Sequence, residues 1–242
     1  MKEQQQFAIR TEQANFAVRA MGFLGLASVV FSLWSATVRP AGTRLSFKTG
    51  ITPLIAVELA RSKADLEQFF GEPGSGNRQL IAGRSGMPGF DFVTSWMIFL
   101  FGLLQLMLRL RPHMRETHLW VCLLLLFTSV SESASLRRMA EAANAWSVNG
   151  AMFAVIHEAC LTKWTVVFGN TMLCSVIFYK TPRVFQAGGG ILSASSALGL
   201  VAVIFPDYQW LAGPAVLGLF AGLCGITVLF LLRPGLFYAD FR

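Results

Sequence analysis

Long uncharged apolar runs constrain the fold of this chain more than any other feature of its sequence. The run from Leu211 to Leu232 contains no Asp, Glu, Lys or Arg. At 1.5 Å per residue, a helix over this run is about 33 Å long, which matches the hydrocarbon core of a bilayer. Only 14% of the 242 residues are charged, whereas a soluble domain carries about 25%. The sequence therefore predicts a polytopic membrane protein and excludes a soluble globular domain.

Six long apolar runs divide the chain, and they predict an all-α fold with about six transmembrane helices. A helix is favoured because the backbone must satisfy its own hydrogen bonds inside a bilayer. The first run is longer than the apolar core of a cleaved signal peptide, about 7–15 residues, which favours a retained signal-anchor helix. The predicted segments are a tail at 1–19, spans at 20–38, 90–110, 119–136, 161–179, 188–205 and 211–232, a loop at 39–89, an interfacial extension at 151–160 and a tail at 233–242.

The distribution of Lys and Arg predicts the orientation of these spans. Basic residues are denser in the segments that share a side with the N-terminus, and such segments are usually cytoplasmic. We therefore expect a multi-pass protein of the bacterial inner membrane with both termini in the cytoplasm and the long loop outside. Arg137 and Arg138 lie on the opposite side from the one the rule favours. Because the basic residues sit mostly at span ends, the net charge of +7 indicates membrane anchoring, and we expect no nucleic-acid partner.

The long extracytoplasmic loop has a helical pattern of its own. Thr52 followed by Pro53 is a helix start signal, and Ser62 with Asp65 forms a capping-box pattern. We predict an amphipathic helix pair over 51–60 and 62–71, followed by an irregular Gly- and Pro-rich stretch to residue 89. The apolar face of the pair consists of Ile55, Leu59, Leu66, Phe69 and Phe70.

Three roles are open for this amphipathic insertion. Its apolar face could pack on the chain's own bundle, close over a cavity as a lid, or dock a partner. Residues Leu59, Leu66, Phe69 and Phe70 are the candidate partner contacts under the last alternative.

The stretch from the first span to the second carries PLIAVELARSKADLEQFFG and then GFDFVTSWMIFL. Over roughly residues 20–110 this arrangement resembles a family of uncharacterised bacterial integral membrane proteins. The resemblance implies a membrane protein and no particular chemistry. Glu58 and Asp91 are the polar positions within the matching stretch.

Ionisable residues are scarce in the predicted spans, and those present lie at a similar depth, near the outer face of the membrane. Insertion scales assign such a residue about 2.5–3.5 kcal/mol at a helix centre, so each one needs a reason. An outward-facing site for an ion or polar ligand is one explanation. Pairing of Glu132 or Glu158 with Lys163, together with snorkelling to the interface, is the other. The candidate cluster consists of Asp91, Glu132, His157, Glu158 and Lys163.

Sequence motifs for cofactors and catalysis are missing from the chain. The HEAC stretch at His157 lacks the second histidine of H-E-x-x-H, and neither G-x-S-x-G nor a Walker A sequence occurs. The four cysteines form no C-x-x-C. We therefore expect no metal and no cofactor, and the sequence leans against an enzyme.

Gly218 and Gly222 form a G-x-x-x-G pair in the last span. Such pairs let helix backbones approach closely, either within the chain or between subunits. The predicted partners are the lipid bilayer and another membrane subunit or a second copy of the chain. The predicted function is that of a non-catalytic membrane subunit or scaffold. The alternatives are a small transporter with an outward-facing polar site and a membrane enzyme without a known motif.

Overall fold

The computed structural model of the chain describes residues 2–37, 58–84, 96, 99–103 and 115–237. These residues are helical apart from short turns, and none of them forms a strand. The all-α prediction is thereby confirmed. The helices are α1 (Lys2–Thr37), α2 (Lys63–Phe70), α3 (Gly76–Arg84), α4 (Arg115–Asn144), α5 (Gly150–Ser175), α6 (Arg183–Ile204), α7 (Ala212–Leu232) and α8 (Pro234–Phe237). Two 3-10 turns, Val176–Lys180 and Pro206–Leu211, follow α5 and α6.

Three of the described helices are long and apolar enough to cross a membrane. They are Gly150–Ser175, Arg183–Ile204 and Pro206–Leu232, and α1 contains a shorter apolar stretch at Ala14–Val30. The predicted third span lies within α4, and most of the predicted second span lies outside the described residues. A membrane protein is therefore supported, while the count of six spans stays an expectation.

The long helices approach one another closely at small residues. Gly222 of α7 lies against Leu192 of α6, and Gly25 of α1 lies against Thr227 of α7. On the other side of α6 pack α5 and then α4. Neighbouring helices run antiparallel. Their contacts place the long helices in the spatial order α4, α5, α6, α7 and α1.

Residues 96 and 99–103 make contacts with both α5 and α1. The indole Nε1 of Trp96 donates a hydrogen bond of 2.8 Å to Thr171 on α5. Gly102 lies against Met21 on α1. The long helices thus enclose one large apolar core, in which Trp96, Phe99 and Leu103 take part.

A second core lies at one end of this bundle. Phe168 of α5 lies against Gly199 of α6, so antiparallel packing places Lys163 level with Ile204, where α6 ends. The first 13 residues of α5 therefore project about 20 Å beyond α6. They pack with α2, α3 and the end of α4, and we call residues 58–84 and 139–162 the cap. Its buried core contains Ala60, Leu66, Phe69, Phe70, Met139, Ala142, Ala143, Val148, Ile156 and Cys160.

Helix α2 begins and ends at the residues that its sequence indicates. The Oγ of Ser62 accepts a hydrogen bond of 3.1 Å from the Asp65 amide, and the Asp65 carboxylate accepts one of 2.9 Å from the Ser62 amide. This reciprocal capping box satisfies two amides that would otherwise lack partners. The helix stops at Gly71, which has a φ of 63°. The predicted second helix of the pair is confirmed, whereas most of the first lies outside the described residues.

The prediction of an irregular stretch after Gly71 is wrong over Gly76–Arg84, which forms α3. At its start the Ser75 Oγ accepts a hydrogen bond of 3.3 Å from the Arg78 amide. The Arg78 side chain is only 6% exposed and lies over the Phe70 ring at 5.6 Å. Tertiary packing thus stabilises a helix that its Gly-rich composition disfavours.

Two predicted segment boundaries fall inside continuous helices. Most of the tail at 1–19 and of the span at 20–38 belongs to one helix, α1, because no Pro and no Gly precedes Gly22. Residues 151–160, the predicted extension of the fourth span, belong to the same helix as the start of that span, since α5 runs without a break from Gly150 to Ser175. Asn149 caps its start by accepting a hydrogen bond of 2.7 Å from the Met152 amide.

Candidate functional site

Residues 58–61 join the cap to the bundle, and each of them makes a polar contact with α5, α6 or the turn after α6. We call these residues and their partners the junction. It is the densest group of polar contacts between distant parts of the described chain, and it contains two residues of the predicted polar cluster. The partners are His157, Lys163 and Trp164 on α5, Ala202 and Val203 on α6, and Gln209 in the following turn.

A buried ion pair lies at the centre of the junction. The Nζ of Lys163 is 2.5 Å from a carboxylate oxygen of Glu58, and both side chains are 1% exposed. The other carboxylate oxygen accepts a hydrogen bond of 2.7 Å from Trp164 Nε1. The same indole lies under the ammonium group, with its ring centroid at 5.1 Å. The site is therefore electrically neutral as a unit, and neither charge faces water.

The backbone on the C-terminal side of Glu58 is held by side chains of the bundle and of α5. The Nε2 of Gln209 donates to the carbonyl oxygen of Leu59. The Nδ1 of His157 is 3.0 Å from the carbonyl oxygen of Ala60, and its ring stacks on Phe153 at 5.4 Å. Both carbonyls are thus satisfied in a segment that belongs to no helix, as buried backbone groups require.

Arg61 completes the junction at the end of α6. Its guanidinium donates hydrogen bonds of 3.2 and 2.7 Å to the carbonyl oxygens of Ala202 and Val203. Burial lowers the pKa of the Arg61 guanidinium, but an arginine stays cationic at physiological pH. A cation is favourable here because the last carbonyls of a helix lack intrahelical partners and carry partial negative charge.

A second arginine of the cap acts in the same way on α4. The Arg78 guanidinium donates to the carbonyl oxygens of Ala143, at 3.2 Å, and Ala145. It also donates to Gly71 at 3.0 Å, so it joins the turn after α2 to the end of α4. The cap thus supplies one arginine to the C-terminus of α4 and one to that of α6.

The structure brings only part of the predicted polar cluster together. Lys163 and His157 both belong to the junction. The predicted pairing of Lys163 with Glu158 is corrected: Lys163 pairs with the Glu58 carboxylate, and Glu158 is exposed on α5. Asp91 and the side chain of Glu132 lie outside what the structure describes. Sequence spacing could not reveal this partner because folding of the cap brings it in from far along the chain.

The candidate partner contacts lie inside the molecule. Leu59 is buried in the bundle core, and Leu66, Phe69 and Phe70 are buried in the core of the cap. Of the three roles that the sequence left open, the structure thus shows packing of this apolar face on the chain's own helices.

The glycine pair of the last span also packs within the chain. Gly218 lies against Ser195 of α6, and Gly222 lies against Leu192 of the same helix. The close approach that G-x-x-x-G permits is therefore used between α6 and α7.

Three residues near the site were absent from the sequence-based cluster. The sequence marks Glu58 only as a polar position in the loop, and the predicted cluster does not include Trp164 or Asn170. Asn170 is 2% exposed, and its side-chain oxygen and nitrogen have no hydrogen-bond partner within the described parts of the chain. Its spacing of seven residues from Lys163 puts it on the same helical face, and this spacing is the sequence feature that could place Asn170 with the predicted cluster.

The chemistry available at the junction is that of binding and positioning. Among the described residues, no group of three His, Cys, Asp or Glu side chains is placed to hold a metal ion. No protein-family model, curated protein or solved structure matches this chain.

Proposed function

We propose that the chain is a non-catalytic subunit or scaffold of a larger membrane assembly. The observation that carries this proposal is a broad exposed apolar face on α4. Helix α4 packs on α5 and α3, and large side chains along its first half point away from both. Their exposed fractions lie between 47% and 66%. The residues of this α4 face are Leu119, Trp120, Leu123, Leu126, Phe127 and Val130.

A helix at the edge of a membrane bundle is suited to pack against another transmembrane helix. In a bilayer such packing depends on shape and van der Waals contact, because lipid is as apolar as leucine. Trp120 also offers a large rigid surface of the kind that dominates protein interfaces. The α4 face is therefore the surface that we assign to the partner, with lipid covering the remaining exposed apolar residues.

Exposed aromatic residues support a membrane position for the bundle. Tyr179 precedes α6, while Phe205, Tyr208 and Trp210 follow it. Aromatic belts of this kind sit at the two headgroup levels of a bilayer, and α6, with 22 residues, is about 33 Å long. We propose that the membrane is a bacterial inner membrane and that the cap lies outside the cytoplasm. Six spans with cytoplasmic termini accord with α1, α4 and residues 96 and 99–103 lying alongside these helices.

Site-specific photocrosslinking in native membranes tests the subunit proposal. A photoreactive amino acid replaces Leu126 on the α4 face, and a matched variant carries it at Met172, which is exposed on α5. We expect one discrete protein adduct from position 126 that survives a high-salt wash and is missing from position 172. Adducts with lipid alone at position 126, or the same protein adducts at both positions, would contradict the proposal.

A further inference from the structure

Asn170 lies in the membrane-spanning part of α5, and none of the described residues forms a hydrogen bond with its side chain. Both polar atoms of its side chain are buried and unpaired within the described segments of the chain. A buried amide that makes no hydrogen bond loses the free energy of its hydration without compensation. Such groups are rare in native proteins, and a bound water molecule or other ligand is one physical explanation for them.

The surroundings of Asn170 define the class of ligand. It lies about 10 Å along α5 from Lys163, on a buried face that includes Val167 and Cys174. The nearest described charges on this face belong to the Glu58–Lys163 pair, which is neutral as a unit. An ion at Asn170 would therefore have no counter-charge beside it and would be strongly disfavoured.

We propose that Asn170 is a binding site for a small uncharged hydrogen-bonding ligand inside the bundle, with water as the smallest member of that class. The amide offers two acceptor lone pairs on its oxygen and two N–H donors. Water and small hydroxyl- or amide-bearing solutes complement this pattern. Buried water molecules typically make about three hydrogen bonds to groups that otherwise have none.

Replacement of the amide by a side chain of similar volume is the first test. In the full chain, Asn170→Leu should lower the Tm in detergent by about 4 °C, since the ligand's hydrogen bonds are lost. An unchanged or higher Tm would overturn the proposal, because removing an amide that binds nothing relieves an unfavourable burial. Thr171→Val is the matched control. Its hydroxyl bonds to Trp96 and to the Val167 carbonyl, so this variant should lower the Tm without affecting ligand binding.

Two ligand readouts separate this site from a purely structural amide. Bound water produces hydroxyl radicals on irradiation, so Cys174, one turn from Asn170, should be oxidised in the wild type and in Thr171→Val but much less in Asn170→Leu. If a solute occupies the site, formamide or glycerol should instead raise the Tm saturably in the first two proteins and not in Asn170→Leu. Absence of both effects would overturn the proposal even if the Tm of Asn170→Leu falls.

Discussion

Among the described residues, Lys163 is the one whose replacement we expect to lower the stability of the fold most. Its ammonium group and the Glu58 carboxylate are both buried. Burial costs several kcal/mol for either ion alone, and the attraction between the two ions offsets much of that cost. Trp164 adds a hydrogen bond to the carboxylate and a π face to the ammonium. Because one partner belongs to the cap side and the other to α5, this single contact couples the two cores.

Removal of either partner should be more harmful than removal of both. Lys163→Ala leaves the Glu58 carboxylate buried without a counter-ion and should lower the free energy of unfolding by about 3–5 kcal/mol. The added change Glu58→Ala should restore part of that loss. Thermal or denaturant unfolding in detergent measures both variants.

Two variants serve as controls for this cycle. Lys63→Ala breaks an exposed pair with Glu67 and should change stability by less than about 1 kcal/mol. Glu158→Ala should not rescue Lys163→Ala, because Glu158 is exposed and the Lys163 partner is Glu58. If the losses of the two single variants add up in the double variant Lys163→Ala/Glu58→Ala, the pair is not coupled.

At the scale of helices, the cap is held by contacts at helix ends. Arg78 and Arg61 of the cap bind the last carbonyls of α4 and α6, respectively, and Arg78 is the more deeply buried of the two. Arg78→Ala should destabilise the cap by about 1.5–3 kcal/mol, the usual range for hydrogen bonds to a charged group. Limited proteolysis should then cut between α2 and α3 sooner than in the wild type.

The exposed Arg138, which pairs with Glu141 on the surface, is the control for this prediction. Arg138→Ala should leave the cleavage rate unchanged. Arg78→Lys should rescue only in part, since a lysine cannot present the planar fork of a guanidinium to several carbonyls. Equal protease sensitivity of Arg78→Ala and Arg138→Ala would mean that Arg78 does not hold the cap.

Helix α6 offers a matched test of close packing. A Cβ at Gly199 would come within 2.3 Å of the Phe168 ring, whereas a Cβ at Gly190 would meet nothing within 4 Å. Gly199→Ala should therefore destabilise the bundle by about 1–3 kcal/mol, and Gly190→Ala should stabilise it slightly. Unfolding in detergent measures the stability of both variants. Equal effects at the two positions would contradict the packing of α5 on α6.

Thiol labelling tests whether the apolar face of α2 is covered in the membrane. In a background without native cysteines, an impermeant reagent should label position 63 fast and position 66 slowly. The reason is that Lys63 is largely exposed while Leu66 is fully buried in the cap. Fast labelling at both positions would show that the cap is not docked.

For the whole molecule, the sidedness of the cap is the main open prediction. A reporter that is active only in the cytoplasm should work when fused after Arg242 and fail when inserted after Gly74 in the cap. The physical reason is the density of Lys and Arg near the termini. Activity after Gly74 with none after Arg242 would reverse the orientation, and equal activity at the two sites would contradict an even number of spans.

The sequence alone determined those features that depend on neighbouring residues. Uncharged runs predicted the apolar helices, and Ser62, Asp65 and Gly71 predicted both ends of α2, because capping acts within four residues. Composition could not reveal α3, whose stability comes from burying Arg78 against Phe70. It also could not reveal how the cap and bundle join.

Only the tertiary structure decided which polar residues meet. Glu58 pairs with Lys163 because the cap folds back onto α5, and no local spacing encodes a contact between residues so far apart in the chain. The same holds for Asn170, whose lack of a hydrogen-bond partner among the described residues is a property of the packed bundle. A sequence shows which side chains are costly to bury, whereas the fold determines which of them find a counter-charge and which still need a ligand.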